Sequence, residues 1–113
     1  MHEMSLVESI LEIVEDEAAR AGATRVRAVR LAIGDLATVE PDALRFCFEA
    51  VAAGTSADGA GLDIVLVPGR GWCIDCAETV PLAERFGACP LCGNHRVQMT
   101  EGDDMRVVEL EVE

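Results

Sequence analysis

The sequence predicts an α+β domain with an inserted zinc-binding module, and three observations lead to this prediction. Two segments have apolar residues at helical spacing, about three segments alternate like β-strands, and a stretch with four cysteines separates the second strand from the last. Two helices packed on a small sheet of about three strands account for the first two observations. We therefore assign residues 1–68 and 97–113 to an α+β domain and residues 69–96 to the inserted zinc-ribbon module.

The first predicted helix has one broad apolar stripe. A Ser-x-x-Glu capping box formed by Ser5 and Glu8 predicts that the helix begins near Ser5. Gly22 predicts its end, because glycine adopts the left-handed conformation without a Cβ penalty. This interpretation leaves His2 on a short arm outside the helix. The stripe consists of Leu6, Val7, Ile10, Leu11, Ile13, Val14, Ala18 and Ala21.

The remaining elements follow in order. The segment TRVRAVRLAI is rich in β-branched residues and ends at the turn Gly34-Asp35, which predicts a strand. Pro41 suits the first position of a second helix, PDALRFCFEAVAAG, and Gly54 ends it. LDIVLV is a second strand. The C-terminal MRVVELEVE alternates apolar and acidic residues, which indicates a half-buried strand at a sheet edge.

Composition excludes several classes of protein. The chain has 113 residues, a formal net charge of -12, and nine basic residues that are all arginine. Nucleic acid binders gain affinity from clustered basic residues, so we expect no nucleic acid partner. The acidic N-terminus does not resemble a secretory leader, and LDIVLV is too short to span a bilayer. We therefore expect a cytoplasmic protein without a membrane segment.

The cysteine pattern is the strongest chemical signal. Cys73-x2-Cys76 and Cys89-x2-Cys92 are separated by twelve residues. Each pair directs two sulfurs at one ion, and the two pairs together complete a tetrahedron typical of zinc. Four cysteines occupy every coordination position, so the zinc is expected to be structural. A module of this size also needs a metal in order to fold.

Other interpretations of the cysteines remain open. Two disulfides would use the same residues, and four thiolates could also bind iron as in rubredoxin. Cys47, between two phenylalanines, fits a small core residue. His95, three residues after Cys92, fits a surface histidine, with an influence on the zinc site as the alternative.

The N-terminus offers a second metal ligand set. The Met1 amine, the His2 amide and the His2 imidazole can close adjoining five- and six-membered chelate rings around one ion. The resulting planar array of nitrogens suits Ni(II) or Cu(II). Glu3 could supply a further ligand. Residue types alone also allow a solvated histidine that binds nothing.

Four segments of the chain occur together in a fixed order: the MHEMSL start, the central GDLATVEPDALRFCFEAV, the CIDC and CPLCG knuckles, and the closing EGDDMRVVELEVE. In this combination the chain resembles the hydrogenase nickel-insertion accessory proteins of the HypA/HybF family. The resemblance covers essentially the whole chain. It implies a metallochaperone that carries Ni(II) as cargo and holds a structural Zn(II). His2 would be the essential nickel ligand, with the Met1 amine and Glu3 as auxiliary ligands. The zinc ligands would be Cys73, Cys76, Cys89 and Cys92.

The resemblance also implies partners. These are the nickel-handling GTPase HypB and the large subunit precursor of [NiFe]-hydrogenase, and some relatives also serve urease. The predicted edge strand permits a homodimer without requiring one. Certain family members place histidine directly after each cysteine pair, where this chain has Ala77 and Gly93, so a zinc-ligand exchange proposed for those members is not expected here.

Two other functional classes compete with a nickel carrier. A zinc-ribbon adaptor for protein–protein contacts would need neither the amine nor the imidazole at the N-terminus. An enzyme is not expected, because the sequence has no phosphate-binding G-x-x-x-x-G-K-[ST] loop, no open zinc position and no nucleophile–base pair.

Overall fold

The structure, a computed structural model, describes residues 3–113 and contains two helices and six strands. Their bounds are α1 Glu3–Arg20, β1 Val26–Gly34, α2 Pro41–Ala52, β2 Gly61–Val67, β3 Arg70–Cys73, β4 Glu78–Pro81, β5 Val97–Glu101 and β6 Met105–Val112. Two helices with two small sheets confirm the predicted α+β class. Within residues 3–113, neither helix has the length and the apolar character that crossing a membrane requires.

The chain divides into two compact units. The first comprises the chain up to residue 32 together with residues 39–65 and 106–113, and the second comprises residues 33–38 and 66–105. The second unit contains the predicted module of residues 69–96 but extends beyond it on both sides. Segments that the sequence pattern assigned to the α+β domain therefore form part of the cysteine-containing unit.

α1 buries one apolar face, but two details of its prediction are wrong. The helix already includes Glu3, so Ser5 lies inside it and cannot be the N-cap, which requires non-helical backbone. The Ser5 carbonyl instead accepts a hydrogen bond from Ser9 Oγ. Two residues predicted in the apolar stripe are exposed: Ile13 is 48% exposed, and Ala21 lies beyond the end of α1. The buried residues of α1 are Val7, Ile10, Leu11, Val14 and Ala18.

The end of α1 is as predicted. Gly22 has a φ of 69°, in the left-handed region. The Gly22 N–H donates to the Ala19 carbonyl at 3.0 Å, and the Ala23 N–H donates to the Ala18 carbonyl at 2.9 Å. These two bonds are the pair that defines a Schellman motif, which satisfies carbonyls that the helix itself leaves free.

α2 begins where the sequence predicted and packs against α1. Pro41 occupies the first turn, where its missing N–H costs nothing. The Glu40 side chain caps the helix by accepting a hydrogen bond from the Asp42 N–H at 3.1 Å. Cys47, expected in the core, is only half-buried. The residues of α2 that are buried are Leu44, Phe48 and Ala52.

The first sheet has the strand order β2-β1-β6, so the C-terminal strand lies at an edge, as predicted. Thr24 donates to the Glu113 carbonyl and Gly34 donates to the Asp104 carbonyl, which shows that β1 and β6 are antiparallel. β1 contributes the buried residues because it is the central strand. Exposed Arg30 on β1 bridges the two outer strands through Asp63, at 2.9 Å, and Glu109, at 3.1 Å. Exposed pairs of this kind contribute little to stability.

The second sheet has the order β4-β3-β5, and all its pairs are antiparallel. β3 and β4 form the hairpin of the cysteine module. β5 pairs with the other edge of β3, with Cys73 opposite Val97 and Trp72 opposite Gln98. This pairing places residues 97–101 in the second unit, because a strand that shares backbone hydrogen bonds with β3 folds together with it.

Glycines allow the segments of the second unit to approach closely. A Cβ on Gly34 would overlap the Gly102 carbonyl, and one on Gly102 would lie 2.6 Å from the Gly69 Cα. A Cβ on Gly69 would meet Leu36 Cδ1 at 2.6 Å. These close approaches hold residues 33–38 against the rest of the second unit. Arg85 Nε also donates a hydrogen bond to the Leu36 carbonyl at 2.9 Å.

We expect Gly34→Ala to destabilise the protein by about 2–3 kcal/mol, because the new methyl group would push two backbone segments apart. Gly22→Ala is the matched control. Gly22 differs from Gly34 in having a φ of 69°, which is unfavourable for alanine, but no atom lies within 4 Å of the added Cβ, so the expected cost is about 1 kcal/mol. Thermal unfolding of the zinc-loaded variants measures both. Equal losses would show that close backbone packing at Gly34 does not matter.

Candidate metal centre

The first cysteine pair forms a tight turn at the end of β3. The Cys76 N–H donates to Cys73 Sγ at 3.4 Å. The Ala77 N–H donates to the Cys73 carbonyl at 2.8 Å. This turn places Ala77 at a φ of 54°, a conformation that is sterically unfavourable for any residue with a Cβ atom. The turn brings the sulfur of Cys76 back toward that of Cys73.

The second pair repeats the same local geometry. The Leu91 N–H donates to Cys89 Sγ at 3.4 Å. The Gly93 N–H donates to the Cys89 carbonyl at 2.8 Å, and Gly93 has a φ of 77°. Glycine makes this turn at no steric cost. The knuckles differ in two respects. The left-handed residue is alanine in one and glycine in the other, and the N–H that reaches the first sulfur belongs to the third residue after it in one (Cys76) and the second in the other (Leu91).

The two knuckles place four sulfurs at the corners of a small tetrahedron. Ligand atoms of Cys73, Cys76, Cys89 and Cys92 all lie within 4.8 Å of one another. Cys73 Sγ is 3.7 Å from Cys92 Sγ, and Cys76 Sγ is 3.9 Å from Cys89 Sγ. Tetrahedral zinc with Zn–S bonds of about 2.3 Å requires sulfurs about 3.8 Å apart, so the donor set fits zinc.

The cysteines are not disulfide-bonded. All five are free, and the sulfurs are much farther apart than the roughly 2.05 Å of a disulfide bond. Cys47 does not belong to the tetrahedron. The geometry therefore favours the metal interpretation of the quartet, with the four-thiolate set compatible with a structural zinc.

The apolar core beside the sulfurs is very small. Its buried members are Cys73, Val80 and Cys89, against which Cys76 and Val97 pack. Three of these five residues are themselves metal ligands. Such a cluster buries too little apolar surface to hold the hairpin and its loop together, and a bound zinc ion supplies the missing free energy.

Asp75 connects the two knuckles through hydrogen bonds, a role that the sequence pattern does not predict. Its carboxylate accepts hydrogen bonds from Asn94 Nδ2 and Arg96 Nη1, both at 3.2 Å. The Ile74 N–H also donates to the Arg96 carbonyl at 3.0 Å. These contacts connect the first knuckle to the chain that follows the second. No local pattern identifies a pairing across nineteen residues, so only the folded chain shows it.

Electrostatics within the cluster favour a bound cation. Hydrogen bonding to the sulfurs of Cys92 and Cys73, together with burial, raises the pKa of the Cys76 thiol. Burial also opposes ionisation of Cys89, but N–H donors from Cys92 and Leu91 and the neighbouring sulfurs outweigh it and lower the pKa of Cys89 to about 7. The metal-free cluster therefore ionises unevenly, and a divalent cation is needed to hold four thiolates together.

The other predicted site residues are two N-terminal residues that the structure does not describe, Glu3, and His95. Met1 and His2 lie outside the described residues. Glu3 is half-buried in the first turn of α1. His95 is exposed, and its Nδ1 donates to the Phe86 carbonyl at 3.0 Å instead of contacting a cysteine sulfur. Among residues 3–113, the structure brings the cysteine quartet together as predicted, and the nickel ligand set stays a prediction.

Comparison with known proteins shows that the chain is similar to the members of one family. Residues 1–112 match the family model described as HypA, hydrogenase/urease nickel incorporation, metallochaperone. The chain is 59% identical over 113 residues to the hydrogenase maturation factor HypA of Dechloromonas aromatica, and both chains are covered completely. It is 60% identical over 112 residues to that of Rhizobium leguminosarum bv. viciae, with 99% of each chain covered.

Solved structures show the same similarity at the level of the fold. The solution structure of the Ni metallochaperone HypA from Helicobacter pylori superposes with a TM-score of 0.75 and 30% sequence identity. The match covers 99% of this chain and 97% of the other. A second HypA solution structure matches with a TM-score of 0.69, also at 30% identity, and covers 99% of this chain and 96% of the other.

We expect Ala77→Gly to stabilise the zinc-loaded protein by about 1 kcal/mol, because glycine adopts the left-handed conformation of this turn without strain. Gly93→Ala is the matched control in the other knuckle and should destabilise by a similar amount. Thermal unfolding measures both changes, and zinc content should remain unchanged. A stability loss for Ala77→Gly would contradict the strain assigned to Ala77.

We expect zinc affinity to fall as the pH falls. The Cys76 thiol, with its raised pKa, is protonated in the metal-free protein at neutral pH, and Cys89 gains its proton below about pH 7. Zinc must displace these protons, and each one costs about tenfold in affinity per pH unit. Competition with a chromogenic chelator should therefore show at least about a hundredfold loss between pH 8 and pH 6. A constant affinity over this range would argue against thiolate coordination.

Proposed function

Since the chain belongs to the HypA family of hydrogenase/urease nickel-incorporation metallochaperones, we propose that His2 is its essential nickel ligand. The Met1 amine and Glu3 complete the proposal as auxiliary ligands. The observation that carries it is the Met1-His2-Glu3 start of the chain, since a histidine in the second position forms fused chelate rings with the terminal amine. Nitrogen donors in a plane are the set that Ni(II) prefers.

The position of Glu3 supports this arrangement. Glu3 follows His2 directly in the chain and belongs to the first turn of α1. The proposed nickel ligands would therefore be attached without a linker to a helix whose apolar face is buried. An acidic residue in this turn is also favourable, because a carboxylate interacts well with the positive end of the helix dipole.

Two different donor sets keep the two metals apart. Four thiolates in a closed tetrahedron hold zinc with no position left for exchange. A terminal amine and an imidazole are harder donors and form an open set, from which a partner could take nickel by replacing one ligand at a time. We therefore assign the nickel to the first unit and the structural zinc to the second. A carrier of this kind needs no catalytic residue.

The proposed partners follow from the family. They are the GTPase HypB and the large subunit precursor of [NiFe]-hydrogenase. The family description covers urease as well, which supports urease maturation proteins as additional partners. Free cysteine sulfurs arranged for a metal are typical of a reducing compartment, which supports a cytoplasmic location.

The nickel assignment predicts opposite behaviour for the two histidines of the chain. His2→Ala should lose one-to-one Ni(II) binding in calorimetry and should pass no nickel to HypB, because the imidazole ring of the chelate is gone. His95→Ala, the matched control, should keep both properties. Elemental analysis should find one zinc per chain in both variants.

A second change tests the Met1 amine separately. Adding two residues before Met1 removes the amine from the chelate while keeping the imidazole, and nickel affinity should fall by at least about tenfold, since one coordinating nitrogen is lost. Unchanged affinity in both the extended protein and His2→Ala would leave the zinc-ribbon adaptor as the better interpretation.

A further inference from the structure

An open apolar groove lies between α1 and the edge strand β6. Its volume is about 410 Å³. On the helix side, Ile13, Glu17 and Ala21 are four residues apart and share one face. On the strand side, Val108, Leu110 and Val112 alternate and point to a common face. All these residues belong to the first unit.

Several apolar side chains that line the groove are exposed to solvent. Ile13 is 48% exposed, Val108 is 53% exposed and Val112 is 36% exposed. A helix position with apolar spacing is normally turned to the core, and the sequence pattern indeed predicted Ile13 there. Contiguous exposed apolar residues of this kind mark interaction sites more often than single exposed ones.

β6 also offers backbone groups to a partner. It is an edge strand, and among residues 3–113 its only neighbour in the sheet is β1. On its outer side, alternate N–H and C=O groups are available to an additional strand. A strand added there would pair with β6 through its backbone and would insert every second side chain into the groove beside Ile13.

Charge identifies the kind of strand that fits. Glu109 and Glu111 lie beside Arg30, which pairs with Glu109 at 3.1 Å, and Glu109 and Glu17 also line the groove. The chain as a whole has a net charge of -12. A second copy of β6 that pairs antiparallel about Leu110 would place Glu109 opposite Glu111, which is unfavourable across a strand pair. A basic strand would place arginine or lysine there instead.

We propose that β6 and the groove beside α1 form a docking site for an extended basic segment of a partner protein, which adds to the sheet as a further strand. Apolar residues at alternate positions of that segment occupy the groove, and basic residues between them face Glu109 and Glu111. Among the residues that the structure describes, those that line the site include no cysteine. The proposal therefore stands or falls independently of the nickel and zinc assignments.

A synthetic peptide of alternating valine and arginine provides the test. It is titrated into the ¹⁵N-labelled, zinc-loaded protein while amide shifts and hydrogen exchange are followed. We expect shifts at residues 107–112, slowed exchange of β6 amides, and affinity that falls with added salt because the attraction is electrostatic. A peptide with glutamate in place of arginine should not bind.

Protein variants locate the contact. Ile13→Ser and Val108→Thr should each weaken peptide binding by about five- to tenfold, because each removes apolar contact from the groove. Val65→Thr is the matched control. Val65 is 45% exposed on β2, the opposite edge strand of the same sheet, so this change should leave the affinity unaltered.

Three results would overturn the proposal. Absence of binding by the valine–arginine peptide would remove the site. Concentration-dependent protection of β6 without any peptide would assign the groove to a second copy of the chain. Binding of a basic helical peptide in the groove, with no protection of β6 amides, would replace strand addition by helix docking.

Discussion

The second unit depends on keeping four sulfurs together, and their charge makes this unfavourable without a cation. Cys73 and Cys89 are buried and only a few side chains pack around them, so apolar burial contributes little. Two knuckles of the same geometry bring the sulfurs to the spacing of tetrahedral zinc. Hydrogen bonds from backbone N–H groups partly stabilise the thiolates, and the metal supplies the remainder. The β3–β4 hairpin, the pairing of β5 and the Asp75 contacts are arranged around this centre.

The first unit is stabilised by a different interaction, the burial of apolar side chains. Its stability comes from aliphatic side chains of α1, α2 and β1 that are fully buried, such as Ile10, Leu44 and Leu31. Among the described residues, its core contains none of the four clustered cysteines. This contrast is consistent with the proposed division between two ions, in which the zinc that completes a fold is retained and nickel at the proposed N-terminal site is exchanged.

Some sequence signals proved sufficient because their physics is local. The paired C-x-x-C steps, Gly22 after α1 and Pro41 at the start of α2 each depend on a few consecutive residues, and the structure shows all of them as predicted. The capping box at Ser5 and Glu8 failed because a helix can begin earlier than its best N-cap residue, once its apolar face is buried against α2. Ile13 failed for a related reason. Spacing predicts which residues share a face, but only the neighbouring strand determines how much of that face is covered.

By itself, the sequence determined the α+β class and the cysteine quartet with its fit to zinc. It also predicts the Met1-His2 nickel site, which stays a prediction. Only the tertiary structure decided which segments accompany the cysteines. Residues 33–38 and 97–101 join them through the close contact of Gly34, Gly69 and Gly102 and through the pairing of β5 with β3. It also decided that Asp75 meets Arg96 and that β6 borders an open groove. Motifs act over a few residues and can be read along the chain, whereas backbone contacts between distant segments exist only after folding.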